Sequence, residues 1–201
     1  NNSKIVQALL KAADKGKSVT VLIELKARFD EHHNIEISTI LREGGVRIAF
    51  TSPDMKTHAK LCLITRKEKK GLKTYAQIGT GNYSESNAKQ YTDYSYFTAD
   101  QDMCFDLTRF FDLMTSDQGV FKSRKVIYAP YNMKDTIKDE IKAEIKRAKN
   151  DKEGYIFIKC NGFTDVEIAE AIQDAAKAGV KITMLVRGAC VIEPTKNIKI
   201  Y

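Results

Sequence analysis

A histidine and a lysine stand two residues apart in Lys56-Thr57-His58-Ala59-Lys60, just before the apolar run Leu61-Cys62-Leu63-Ile64. Residues His58 to Arg66 read as a β-strand. Strand side chains alternate between faces, so His58 and Lys60 are predicted to share one. A neutral imidazole can attack phosphorus, and a neighbouring ammonium can hold the phosphate oxygens, which makes the pair a candidate phosphoryl-transfer centre. A strand histidine by itself is more often structural. Lys60 shifts the balance, because burying an unpartnered ammonium is costly and a phosphate relieves that cost.

Other residues fit the same chemistry. Gly79-Thr80-Gly81-Asn82 follows a strand-like run; its glycines let backbone N–H groups turn toward an anion, and Asn82 adds an amide donor. An ordinary turn is the plainer meaning of Gly-Thr-Gly. Arg28 follows the apolar run Val19 to Leu25, and Arg187 follows Val180 to Val186. Ligands of open α/β sheets gather at the carboxyl ends of strands, where a guanidinium can clamp phosphate oxygens. Tyr91, in Tyr91-Thr92-Asp93-Tyr94, offers a ring that can stack on a base or simply pack. His32 and His33 are adjacent in a helical pattern, share no face and read as solvated. Neither GxxxxGK[ST] nor GxGxxG occurs, so no P-loop or Rossmann phosphate site is indicated.

The elements that must position these residues follow from periodicity. Helices are predicted over Lys4 to Ala13, Ile35 to Arg42, Asp102 to Met114, Met133 to Ala148 and Asp165 to Ala178. Strands are predicted over Val19 to Ile23, Val46 to Phe50, His58 to Arg66, Thr74 to Ile78, Tyr91 to Phe97, Tyr155 to Lys159 and Val180 to Val186. The 201 residues are 43% hydrophobic, enough for a real core in one large domain or two small ones. The net charge of +7 favours an anionic partner. Four scattered cysteines suggest neither zinc nor a disulfide framework; Cys62, Cys160 and Cys190 read as small apolar residues in strands, reduced in a cytosolic setting. No run approaches a membrane span.

The pattern also restarts. Ala12 to Ile23 aligns without gaps on Ala175 to Val186, placing Gly16 on Gly179. A repeat of this kind predicts two related α/β domains in tandem. The counterpart of His58 then falls beyond Tyr201, and the first copy lacks a strand equivalent to Tyr155 to Lys159. A chain cut short at both ends is therefore expected.

Five ordered runs complete the reading: residues 21–31, Lys56 to Leu61, Ile78 to Tyr83, Tyr91 to Ser95 and Leu185 to Cys190. Together they resemble polyphosphate kinase, the bacterial class related in fold to phospholipase D. The resemblance implies an α/β fold with a phospholipase-D-like mixed sheet flanked by helices. Residues 1–125 would form a first catalytic domain and 126–201 the start of a second. It further implies reversible transfer of the terminal phosphate of ATP onto inorganic polyphosphate, with His58 matching the phosphorylated histidine. Arg28 matches an arginine of the phosphate–magnesium site, and Tyr91 and Arg187 match ATP-binding positions. Arginine does not ligate a metal, so Arg28 is assigned to phosphate oxygens beside Mg²⁺, and no side-chain metal ligand is identified. The expected partners are Mg²⁺ with ATP or ADP, and polyphosphate. No nucleic acid is expected. A homo-oligomer is, either cytoplasmic or peripheral at the inner membrane.

Two departures stand out. Phospholipase-D-type sites carry an aspartate five residues after the lysine, where this chain has Thr65. The family's second active-site histidine and another phosphate-site arginine match no position within 1–201. The 201 residues alone are thus expected to be inactive or weakly active. A phosphodiesterase or nuclease of the same fold, which Thr65 disfavours, and a non-catalytic polyanion-binding module are the alternatives.

Overall fold

Three of the helices stop in the same way. Gly16, Gly45 and Gly179 have φ of 73°, 81° and 96°, a left-handed conformation that glycine adopts without steric cost. At each stop the glycine N–H donates three residues back, to Ala13, Arg42 and Ala176. The next N–H donates five back, to Ala12, Leu41 and Ala175. This is the Schellman closure of a helix. At two of the three ends the residue after the glycine, Val46 or Val180, is buried, so the cap also plants an apolar side chain in a core.

The computed structural model describes residues 3–24, 31–51, 56–116, 119–150 and 153–201, with only the backbone described at 31–33. Arg28 and the side chains of His32 and His33 lie outside the described residues. The chain forms two compact units, Asn1–Val126 and Ile127–Tyr201.

In the first unit, α1 (Lys4–Asp14), β1 (Thr20–Ile23), α2 (Glu31–Glu43) and β2 (Arg47–Phe50) follow in order. Ser3 caps α1 by accepting from the Val6 N–H. β1 and β2 pair in parallel, Thr20 opposite Arg47 through Ile23 opposite Phe50, with α2 as the crossover that such pairing requires. Val6, Leu41 and Val46 are buried between the helices and strands.

The unit continues with β3 (Lys60–Glu68), β4 (Gly71–Gly79), the short α3 (Glu85–Gln90), β5 (Ser95–Thr98) and α4 (Gln101–Ser116). β3, β4 and β5 form an antiparallel sheet in that order. Ala76 of β4 packs with Cys104 and Leu107 of α4, and Leu61, Leu63 and Ile78 line the same side. The neighbouring Asp106 is fully buried and accepts from the backbone N–H groups of Arg124, Lys125 and Val126 at 2.7 to 3.0 Å.

The second unit consists of α5 (Met133–Lys149), β6 (Tyr155–Cys160), α6 (Val166–Lys177), β7 (Lys181–Val186) and β8 (Ile198–Ile200). The three strands are parallel, with β7 in the centre. Ile168, Ile172, Ala175, Val180, Ile182, Met184 and Ile198 belong to one buried cluster joining α5, α6 and the sheet.

Several elements differ from the sequence-based expectation. His58 precedes β3 instead of lying within it, because β4 ends opposite Lys60 at Gly79. Beyond that point the Thr80 N–H turns to the Tyr94 carbonyl, leaving no ladder partner for residue 58. Tyr91 is not in a strand. Ser84 caps a helical turn that closes at Tyr91, and pairing resumes only at Ser95. β8 has no counterpart among the strands that periodicity predicts. Cys62 is exposed and Cys160 and Cys190 are half-buried; the buried cysteine is Cys104, on α4. No helix among the described residues is long and apolar enough to cross a membrane.

Candidate active site at one end of the antiparallel sheet

The sheet register gathers the candidate residues of the first unit. Lys60 pairs with Gly79, and Gly79 with Ser95, so the start of β3, the end of β4 and the start of β5 form one row. Three segments leave this row on the same side: 56–59 with His58, 80–83 with Gly81 and Asn82, and 91–94 with Tyr91 and Asp93. The side chains of His58, Asn82 and Tyr91 are exposed there, and Lys60 is half-buried.

The loops are tied to one another. Thr80 Oγ1 donates to Asp93 Oδ1 at 2.9 Å and accepts from the Tyr94 N–H at 3.0 Å. A Cβ on Gly81 would sit 2.2 Å from an Asp93 carboxylate oxygen. Gly81 is therefore a glycine because Asp93 presses against it, and what it can offer a ligand is its backbone N–H. Lys60 Nζ donates to the His58 carbonyl oxygen at 2.7 Å, which fixes the backbone at the strand start and leaves two ammonium protons for other acceptors. The buried Thr57 hydroxyl has no hydrogen-bond partner among the described residues.

The charges around His58 are mixed. Partial desolvation, then the Lys60 and Lys56 ammoniums, hold the imidazole below its ordinary pKa, while the Glu24 carboxylate opposes them. Lys60 is lowered as well, first by desolvation; Glu24 and Asp93 pull it upward and Lys56 pulls it down. A histidine kept neutral beside two cations is a nucleophile next to an anion site. Sequence reasoning missed Lys56, Glu24 and Asp93 as members of this cluster. Glu24 directly follows β1, four residues before Arg28, and its carbonyl accepts from the Asn34 side-chain amide at 3.0 Å. Asp93 could have been read from the need for something to fill the space beside a glycine.

Arg187 belongs to the second unit, directly after β7. Its Nε donates to Asn161 Oδ1 at 2.9 Å, and the next residue's N–H donates to the Asn161 carbonyl at 2.7 Å. Asn161 follows β6, so two adjacent parallel strands end in one small loop cluster that aims an exposed guanidinium.

No three His, Cys, Asp or Glu side chains gather as metal ligands among the described residues. Glu24 and Asp93 each contribute one carboxylate beside cations, a donor set that does not fit a resident Mg²⁺.

Parallel and antiparallel pairing flanked by helices, in two units with matching helix–glycine–strand segments, is a phospholipase-D-like architecture. Comparisons with known proteins define it further. The family model described as polyphosphate kinase C-terminal domain 1 matches residues 1–120, and that of C-terminal domain 2 matches residues 126–200. The chain belongs to the polyphosphate kinase family. It is 42% identical over 194 residues to polyphosphate kinase 1 of Chlorobaculum tepidum and 40% identical over 193 residues to polyphosphate kinase of Pseudomonas aeruginosa. Each alignment covers 96% of this chain but only 28% of the relative. The crystal structure of polyphosphate kinase from Porphyromonas gingivalis superposes with a TM-score of 0.87 at 36% identity, covering all of this chain and 34% of that one.

Proposed function

We propose that this chain takes part in reversible transfer of the terminal phosphate of ATP to inorganic polyphosphate, with His58 as the intermediate phosphoryl acceptor. The observation that carries the reading is His58 itself: exposed, kept neutral, and set beside Lys56 and Lys60 where three sheet-end loops converge, in a chain of the polyphosphate kinase family.

In the first step a ring nitrogen of neutral His58 forms an N–P bond as the bond from the γ-phosphorus to the bridging oxygen breaks, and ADP departs. In the second, a terminal polyphosphate oxygen attacks the same phosphorus, the N–P bond breaks and the imidazole returns neutral. Such transfer depends mainly on positioning and on neutralising the equatorial oxygens. Lys60 is assigned to those oxygens and Arg28 to phosphate oxygens beside Mg²⁺; Arg187, in the second unit, is read separately as an ATP-binding residue. The Gly81 N–H and the Asn82 amide are further donors, and the Tyr91 ring is assigned to the adenine. Mg²⁺ enters as part of the nucleotide substrate. Residues 1–125 and 126–201 are read as a first catalytic domain and part of a second. The reaction is placed in the cytoplasm, in an oligomer of the full-length protein.

Thr65 supports transfer over hydrolysis. Where a phosphodiesterase would carry an acid, its hydroxyl shares a 2.9 Å hydrogen bond with the Thr74 hydroxyl across the ladder. The test is incubation of the full-length protein with ATP radiolabelled in its γ-phosphate. An acid-labile, alkali-stable label is expected, and His58→Ala should abolish it; a label that survives the substitution overturns the role of His58.

A further inference from the structure

The opposite end of the antiparallel sheet carries the densest run of like charge in the chain. Residues 66–73, Arg-Lys-Glu-Lys-Lys-Gly-Leu-Lys, hold five cations and one carboxylate. They form the hairpin between β3 and β4. Glu68 pairs with Gly71, Lys69 and Lys70 make the turn, and Gly71 at φ 118° brings the chain back. The single acid is already engaged, since Glu68 Oε1 accepts from the Tyr75 hydroxyl at 2.6 Å and lies 3.5 Å from Arg66 Nε. Several cations elsewhere do have acidic partners: Arg124 with Asp102, Lys125 with Asp100, and Lys134 and Lys138 with Glu167. No carboxylate pairs with Lys67, Lys69, Lys70 or Lys73 among the described residues.

The hairpin holds these charges together at a cost. The register sets Arg66 directly opposite Lys73, a like-charged cross-strand pair that destabilises a sheet. Both lean on one ring, Lys73 Nζ at 5.3 Å and Arg66 Cζ at 5.9 Å from the centroid of Tyr75. A ring that collects two cations, beside three more with no counter-charge, suits a ligand bearing many closely spaced negative charges. Arg66 also lies on the same face of β3 as Lys60, six residues along, a span of roughly 20 Å.

We propose that this hairpin is a second contact for the polyphosphate chain, holding it at a distance from the transfer site at the sheet's other end. The inference rests on polyphosphate being the substrate at that site. A linear polyanion reaching His58 can extend over the hairpin, whereas a short oligophosphate cannot span both. A membrane surface fits less well. Leu72 is exposed at the tip, but one leucine falls short of the apolar face of an interfacial anchor.

The test uses the full-length protein carrying Lys67→Gln, Lys69→Gln and Lys70→Gln together. Its affinity for long-chain polyphosphate is expected to fall ~10-fold and to depend less steeply on salt. Affinity for tripolyphosphate and labelling of His58 by ATP should stay at the parental level, which also reports that the variant is folded. The corresponding triple arginine variant, keeping the charge, should retain long-chain affinity. Long-chain affinity equal to that of the parent overturns the proposal. So does an equal loss for tripolyphosphate, and so does a loss confined to RNA or to anionic lipid vesicles. The underlying substrate reading fails separately, if the parent protein takes no label on His58.

Discussion

In residues 127–201 burial is continuous: α5, α6 and three parallel strands share one cluster, in which Ile172, Ala175, Val180 and Met184 are wholly buried. In residues 1–126 it is divided between two small clusters, one under α1 and α2 and one under α4, and a wholly buried residue there is the carboxylate of Asp106. The same helix–glycine–strand segment appears in both, with the same cap, yet α6 buries five side chains and α1 only Val6. Local sequence thus sets the shape of the segment, and the number of strands beside it sets how much apolar surface it removes from water. The second unit is held by that burial. The first relies more on directed hydrogen bonds and keeps its sheet-end loops polar, which is where the candidate chemistry lies.

The largest effect should come from cutting into the continuous core. Ile172→Ala removes a wholly buried side chain hemmed in by α5 and the sheet, and should cost about 4 kcal/mol. Val6→Ala, at the rim of a small cluster, should cost about 1 to 2 kcal/mol. Native-state hydrogen exchange separates the two, read at β7 amides for the first and β1 amides for the second. Equal losses would show that the two units do not differ in how they are held.

A smaller but more local loss should follow in the first unit from Asp106→Ala. Three consecutive N–H donors would lose a buried, charged acceptor, and each such bond carries about 1.5 to 3 kcal/mol. Neighbours can relax and water can enter, so a net cost of about 3 kcal/mol is expected. Asp106→Asn should recover only part of it, because one acceptor oxygen is replaced by an NH₂ that faces donors. Faster exchange confined to residues 124–126 and α4 would support this; exchange unchanged at 124–126 would refute it.

The sequence made the helices, the parallel strands and the repeat legible, because each is written in local periodicity and in glycine stops. Alignment alone pairs Gly16 with Gly179, and their hydrogen bonds match. Less legible was where a strand begins, since that depends on where its partner ends. His58 has the alternation of a strand residue but no partner opposite it. The site was half legible for a related reason. His58, Lys60 and the Gly-Thr-Gly-Asn run carry their chemistry in their residue types. Glu24 and Asp93 enter only because the sheet register and the end of β1 bring separate segments together. Tyr91 has the alternation of a strand residue, but the cap at Ser84 starts a helical turn that ends there.

The smallest effect sharpens the comparison at the site itself. Because His58 is held below the ordinary imidazole value of 6.5, first by partial desolvation and then by Lys60 and Lys56, its nucleophilic form persists into mildly acidic solution. The rate of label formation in the full-length protein should therefore fall with a midpoint below 6.5. Lys60→Gln should move that midpoint up, toward 6.5, and Glu24→Gln should move it down, because the glutamate is the group opposing the lysines. The midpoint is the quantity to follow, since losing Lys60 also slows transfer. Stability obeys the same sign. As pH falls below 6.5 the unfolded chain takes up the proton first, so this contribution is present above that value and is lost as pH drops through the folded pKa. A midpoint at or above 6.5, or one that neither substitution moves, would mean that His58 does not feel the cation cluster, and the contrast between a chemically tuned first unit and a burial-held second would lose its sharpest residue.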